Sequence, residues 1–248
     1  MLLVEINKMI FNESLILQLI SAFSGALFAF MFMLILSKIK ENKDKKEDRI
    51  NTLFRLQIIL NEHLDINYRN LFAIDSLIKI YENAINKNKI RITNDSLENL
   101  NIYPDILYSL NYQKLINNIF SYKMDIDRFN VDINECYNLY LLFRNSFINQ
   151  KIELSDYNVN FSDYINHLNE IKPFCNEIDI TINEILARVR IYLKNEKKKL
   201  SNKIINEKKI TEKEIKQEIL MMNKQKKQIR NKSSQLKNTS FEGQKTNK

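Results

Sequence analysis

Residues 14–37 read SLILQLISAFSGALFAFMFMLILS, a run of 24 positions without one charged side chain. Charged residues make up 27% of the whole chain, so this run stands apart from the sequence around it. An α-helix rises about 1.5 Å per residue, and a helix of this length therefore crosses the roughly 30 Å hydrocarbon core of a bilayer. The run predicts a single transmembrane helix over residues 14–37.

The residues on either side of this run predict an uncleaved anchor and its direction. The run is longer than the apolar core of a signal peptide, and no small-x-small cleavage site follows Leu36. Residues 1–13 contain one basic side chain, whereas the charged juxtamembrane segment, residues 38–49, contains six. Because basic residues near a span stay in the cytoplasm, we expect residues 1–13 to be extracytoplasmic and the C-terminal body to be cytoplasmic. The abundance of isoleucine, asparagine and lysine is typical of an AT-rich bacterial genome, so the expected location is the bacterial inner (cell) membrane.

Small side chains recur every fourth residue within the predicted span, at Ser21, Gly25 and Ala29. They share one helix face, and small residues allow two helix backbones to approach closely in lipid. This face predicts self-association of the span. The alternative is that these residues are ordinary members of a membrane helix, in which small residues are common.

Glycine and proline are almost absent, which favours an all-α fold. Each occurs twice in 248 residues, whereas sandwiches and barrels need turn residues roughly every 8 to 12 positions. We therefore expect a cytoplasmic helical bundle over residues 50–200 that includes a long C-terminal helix. A basic, partly disordered tail is expected over residues 201–248.

Two local signals mark helix starts in the first half of the bundle. Asp95, with Glu98 three residues later, predicts a capping box and a short helix. Pro104 suits the first position of another short helix, because its missing N–H would be unpaired there in any case.

The second half of the bundle should supply its core. Residues 112–149 predict one long helix or two helices broken near residues 125–127. Ser162 is expected to cap a short helix that ends before Pro173, since the residue before proline is disfavoured in α geometry. A coiled-coil-like seam follows and is interrupted at Glu196. The sequence allows two alternatives for this seam, packing inside the domain or pairing with a second chain. The seam residues are Ile178, Ile182, Ile185, Val189 and Tyr192.

The tail concentrates the positive charge of the chain. Residues 194–248 contain 17 basic and 6 acidic side chains. Thr211 and Glu214 form a T-x-x-E capping box that predicts an amphipathic helix over residues 212–232, whereas residues 233–248 are too polar to fold alone. Its apolar side is expected at Ile215, Ile219 and Met222, with Ile229 further along the same side. Its basic side chains are Lys213, Lys216, Lys224, Lys226, Lys227 and Arg230. Contact with anionic lipid, contact with nucleic acid and a merely solvated tail are the three alternatives for this segment.

Signatures of catalysis and of cofactor binding are missing from the sequence. Two glycines exclude the Gly-rich loops that bind phosphate groups. His63 and His167 lie more than a hundred residues apart, and with only Cys136 and Cys175 they do not form a zinc motif. The two cysteines are expected to be reduced and packed. We therefore expect no enzymatic activity, no cofactor and no metal.

Three carboxylates in the segment predicted as helical over residues 112–149 are candidate metal ligands. Asp125, Asp132 and Glu135 share a face at helical spacing, but nothing in the sequence marks a second cluster that would complete a metal site. A solvated acidic face is the favoured interpretation.

Three functions from different classes fit these features. The first is a non-enzymatic, membrane-anchored interaction module that acts as a scaffold, adaptor or sensor subunit, with a protein partner or a homo-oligomer. The second is a membrane-acting effector of a phage-defence or toxin-like system, which would oligomerise through its span. The third is a membrane-tethered nucleic-acid binder that uses the basic tail.

Overall fold

The computed structural model describes residues 2–107, 110–149, 153–198 and 211–225, and it is helical throughout apart from short connections. Three long helices account for most of the chain: α1 spans Leu2–Asn86, α2 spans Gln113–Asn149 and α3 spans Leu154–Lys198. A 3-10 helix lies at Pro104–Leu107, and a further helix, α4, covers residues 212–225. No β-strand occurs in these described ranges. The predicted all-α fold is confirmed.

The chain divides into two compact units, Met1–Asp48 (unit 1) and Arg49–Lys248 (unit 2). In unit 1, every side chain from Leu15 to Leu36 is exposed. Helix α1 therefore contains one stretch that is long and apolar enough to cross a membrane, with none of it buried in protein.

In unit 2, α1 and α2 run parallel to each other, since the contacts Arg49–Tyr112, through Glu196, and His63–Tyr122 advance together along both helices, and α3 runs in the opposite direction. Arg49, at the start of unit 2, lies beside Glu196 near the end of α3, while Tyr81, late in α1, stacks on Phe161 near the start of α3 with 4.5 Å between ring centroids. The α1 segment and α3 are therefore antiparallel. Between these two ends, aromatic and aliphatic side chains fill the core, with Tyr164 edge-on to Tyr81 at 5.6 Å.

Residues 89–103 form an extended connection, which we call the strap, and the short helix predicted from Asp95 and Glu98 is wrong. The Asp95–Glu98 capping signal does not produce a helix, because side chains of the long helices hydrogen-bond the backbone of the strap instead. Leu100 and Ile102 of the strap are buried in the core, which a helix over this segment would not allow.

Four helix side chains bind the strap by pairing with both the N–H and the C=O of one strap residue. Asn70 donates to the Glu98 carbonyl at 2.8 Å and accepts from its N–H at 2.7 Å. Asn130 binds Leu100 in the same way, at 2.6 and 2.9 Å. Two tyrosine hydroxyls each donate to the C=O and accept from the N–H of one strap residue. These pairs are Tyr81 with Thr93 and Tyr157 with Arg91. These bonds replace the partners that a neighbouring β-strand would provide.

Replacing Asn70 or Asn130 by alanine is expected to lower the free energy of unfolding by about 1–3 kcal/mol each. Each change leaves a partly buried N–H and C=O of the strap without a partner. Asn176→Ala is the matched control, because the Asn176 side chain is exposed and bonds only within its own helix. Denaturant unfolding of the full chain in detergent, followed by circular dichroism, measures the difference. A control as destabilised as the strap variants would contradict this role.

Helix α3 passes through Pro173, so the predicted helix end before this residue is wrong. Ser162 is not a cap either, since it lies inside α3 and its hydroxyl donates to the Asn158 carbonyl. Proline inside a helix costs roughly 3 kcal/mol. Ile171 and Cys175 are buried on either side of it, and this packing holds α3 to the core.

The remaining boundaries agree with the sequence or resolve its alternatives. Pro104 opens the 3-10 helix, as predicted. Residues 113–149 form one unbroken helix rather than two. The seam residues of α3 are buried inside unit 2, so they pack within one chain.

Candidate functional site

The small-residue face of the predicted span is open. Ser21, Gly25 and Ala29 are all exposed, and a Cβ atom added at Gly25 would meet nothing within 4 Å. The Ser24 hydroxyl donates to the Ser21 carbonyl at 3.0 Å, so this polar group is satisfied within the helix. The face has the shape that close helix pairing needs. Self-association through it stays a prediction.

Helix α4 begins as the sequence predicted. The Thr211 N–H donates to the Glu214 carboxylate at 2.9 Å, and the Glu214 N–H donates to the Thr211 hydroxyl at 3.3 Å. This reciprocal pair is the capping box. Lys226, Lys227 and Arg230 lie outside the described residues, as does the rest of the predicted helix beyond residue 225.

The apolar side of α4 packs on the core of unit 2. Ile215 and Met222 are buried, and Ile219 is partly buried against the same core. Lys213, Lys216 and Lys224 are exposed on the opposite side. In this arrangement lipid contact through the apolar side requires α4 to leave unit 2, whereas the basic side chains are already accessible to an anionic partner. Both forms of contact stay predictions.

Glu218 explains why α4 fits protein better than lipid. This residue lies on the apolar side of α4, between Ile215 and Met222, and is itself buried. Its carboxylate accepts a hydrogen bond from the Lys194 ammonium of α3 at 2.6 Å. A carboxylate in the middle of an apolar face is unfavourable at a lipid surface, but here it has a basic partner.

Glu218→Lys is expected to release α4, because it buries an ammonium group beside the ammonium group of Lys194. Amide hydrogen exchange over residues 212–225 should rise at least about tenfold, which corresponds to about 1.4 kcal/mol. Lys194→Glu in the same chain should restore protection, since the pair is then reversed. Gln217→Lys places an ammonium group on the exposed side of α4 instead and should change little. Equal exchange in the parent and in Glu218→Lys would show that the pair does not hold α4.

A buried polar cluster closes the end of unit 2 at which Arg49 lies. The Arg49 guanidinium is 3.6 Å from the Glu196 carboxylate, and the Tyr112 hydroxyl donates to the same carboxylate. Arg49 and Glu196 are 7% and 2% exposed, and the Tyr112 ring stacks on Tyr192 at 4.0 Å. Burial and the Glu196 carboxylate raise the pKa of Tyr112, so its hydroxyl stays protonated. The cluster joins α1, the start of α2 and the end of α3.

A second buried polar contact surrounds His63. Its Nε2 lies 3.0 Å from the Asn101 carbonyl, and its Nδ1 lies 2.8 Å from the Tyr122 hydroxyl. Because a carbonyl only accepts, Nε2 carries the proton and Nδ1 accepts from the tyrosine. Burial lowers the pKa of His63, which favours this neutral form. Both ring nitrogens are thus used to hold α1, α2 and the strap together.

The other candidate chemical groups are dispersed. Within the part of the chain that the structure describes, no three or more His, Cys, Asp or Glu residues form a group that could hold a metal. Cys136 and Cys175 are unpaired and buried, as predicted, and burial raises the pKa of their thiols to about 11 and about 12. Thiols of this kind stay protonated and are poor nucleophiles.

Exposed apolar side chains mark the outer faces of two helices. Ile58 and Phe72 are 65% and 68% exposed, and because they lie 14 residues apart they fall on one side of α1. On α2, Phe120 and Met124 are exposed one turn apart. In the sequence these positions cannot be distinguished from core positions, because the same residue types fill the core.

No protein-family model, no curated protein and no solved structure matches this chain. Its function is therefore inferred from its own residues.

Proposed function

We propose that this protein is a single-pass protein of the bacterial inner membrane whose cytoplasmic unit 2 acts through protein contacts, as a scaffold, adaptor or sensor subunit. One observation carries the proposal: the apolar run in α1 is exposed from Leu15 to Leu36, while the apolar core side chains of unit 2 are buried. Fifteen large apolar side chains between Leu15 and Leu36 are exposed. At about 1.5–3 kcal/mol for each side chain removed from water, a bilayer would stabilise this segment by tens of kcal/mol.

The direction of insertion rests on the flanking charges. Six basic side chains follow the span within residues 38–49, against one in residues 1–13. The positive-inside rule then supports an external N-terminus and a cytoplasmic unit 2. A phosphatase reporter that works only outside the inner membrane should be inactive when fused after Lys248. Strong activity of this fusion would reverse the orientation.

The exposed apolar residues of unit 2 support a role in protein contact. Ile58 and Phe72 are exposed on the outer side of α1, away from the core, and Tyr68, one turn before Phe72, is exposed as well. Exposed apolar surface that is larger than scattered single residues is typical of interaction sites.

A photo-crosslinking amino acid at Ile58 or Phe72 tests this role in intact cells. We expect a discrete protein adduct from both positions and none from Glu82, an exposed polar position on the same helix. Adduct size separates a partner protein from a second copy of this chain. Absence of adducts at both apolar positions, or an equal adduct at Glu82, would contradict the interaction role.

Nucleic-acid binding is a second candidate, favoured by the outward position of the α4 lysines Lys213, Lys216 and Lys224. These side chains need no rearrangement to meet phosphate groups. Their binding would weaken steeply with added salt. The effector hypothesis depends instead on oligomers of the span through Ser21, Gly25 and Ala29.

A further inference from the structure

A cavity of about 240 Å³ lies between the strap, α2 and α3. The strap residues 94–97 form one wall, Ile133 and Cys136 of α2 form a second, and Tyr164 of α3 completes it. At about 30 Å³ for each water molecule, the space corresponds to about eight waters. A molecule with one small ring and a short substituent fits this volume.

The cavity lies beneath residues 94–97, the part of the strap between its two sets of hydrogen bonds to helix side chains. Tyr81 and Tyr157 bind the strap before residue 94, and Asn70 and Asn130 bind it after residue 97. Among the hydrogen bonds of the described residues, none joins residues 94–97 to a helix. This short arch therefore stands over open space, while both of its ends are fixed.

The chemistry of the walls selects the charge of a ligand. Asp95 is exposed at the cavity and has no ion-pair partner among the residues that the structure describes. No lysine or arginine lines the cavity, so nothing there would balance the charge of a phosphate or a carboxylate. The half-exposed ring of Tyr137 lies on the same cavity. A carboxylate together with an aromatic face is the pair of groups that binds organic ammonium ions.

The buried part of the cavity is apolar and neutral. Ile133, Cys136 and Tyr164 are almost completely buried. Burial raises the pKa of the Cys136 thiol to about 11, and it raises the pKa of Tyr164 as well, so neither group carries a charge near neutral pH. An apolar body that leaves water and lies against these residues is stabilised by the hydrophobic effect.

We propose that this cavity binds a small organic cation, with its ammonium group between Asp95 and the Tyr137 ring and its apolar body against Ile133. Such a ligand would fill the space under the arch and join the strap to α2 and α3. All of the residues involved belong to unit 2. The binding itself therefore does not depend on the proposed membrane location or on a protein partner.

Calorimetric titration of the full chain in detergent micelles tests the site with benzylamine, which is protonated at neutral pH. We expect saturable binding of benzylamine and none of benzoate, which has a similar ring and the opposite charge. Asp95→Asn and Tyr137→Leu should each weaken the binding about threefold or more. Asp105→Asn, a change of the same kind at an exposed position outside the cavity, should leave the Kd unchanged.

Partition of benzylamine into micelles does not saturate and is the same for every variant. Subtracting the heat measured for one variant from that of another therefore cancels the contribution of the micelles. Absence of saturable benzylamine binding to the parent chain would overturn the proposal. An unchanged Kd in Asp95→Asn, or equal binding of benzoate, would overturn it too. Circular dichroism of Asp95→Asn is the folding control. We expect the spectrum of the parent chain, because Asp95 is exposed.

Discussion

Replacing Glu196 by alanine is expected to lower the free energy of unfolding of unit 2 by about 3–5 kcal/mol. The change leaves the Arg49 guanidinium buried without its carboxylate partner, and it removes the acceptor of the Tyr112 hydroxyl. An uncompensated buried charge is far more costly than an exposed one. Denaturant unfolding of the full chain in detergent, followed by circular dichroism, measures the loss.

A double variant separates the cost of the unpaired charge from the value of the ion pair. Arg49→Met with Glu196→Leu removes both charges and keeps apolar volume, so it should recover most of the stability that Glu196→Ala loses. Glu184→Ala serves as the control, because Glu184 is exposed on the same helix. A loss below about 1 kcal/mol in Glu196→Ala, which is typical of surface ion pairs, would contradict the buried cluster.

Replacing Phe23 and Leu27 together by lysine is expected to abolish insertion of the span. Each lysine near the centre of a membrane helix costs about 2.5–3.5 kcal/mol, and the two lost apolar residues add to this. The combined cost of about 6 kcal/mol lowers the ratio of inserted to non-inserted chain by more than about a thousandfold. A cell-free insertion assay with microsomes and engineered glycosylation sites reports this fraction.

Apolar exchanges at the same two positions provide the control. Phe23→Leu with Leu27→Phe keeps the hydrophobicity of the run and should insert as the parent does. These positions are exposed in unit 1, so the lysines disturb no packing within the chain. Insertion of the lysine variant at the level of the parent would show that residues 14–37 are not the membrane segment.

Features that depend on local sequence were predictable. The apolar run, the near absence of glycine and proline, and the Thr211–Glu214 capping box each act within one or two helix turns, and the corresponding structure was confirmed. The direction of the chain in the membrane also depends on local charge. It stays a prediction.

Features that depend on distant partners were not predictable. Asp95 and Glu98 resemble a capping box, but Asn70 lies 28 residues from Glu98 in sequence and binds its backbone. Proline usually ends a helix, yet α3 continues through Pro173 because residues on both sides of it pack in the core.

Buried charges gave the weakest signal in the sequence. Glu196 looks like an interruption of the α3 seam, although its spacing of four from Tyr192 continues the buried face. Arg49 looks like one more juxtamembrane basic residue. Only the fold brings these two residues together. In α4, Glu218 on the apolar side was the one sign that protein rather than lipid covers that face.

Alkaline carbonate extraction of cell membranes tests whether the chain spans the bilayer. Carbonate releases proteins that are held by charge and retains those that span the bilayer. The exposed apolar run of α1 predicts that the full chain stays in the membrane pellet and that a chain without residues 14–37 is released. Release of the full chain into the supernatant would show that residues 14–37 do not anchor the protein in the bilayer.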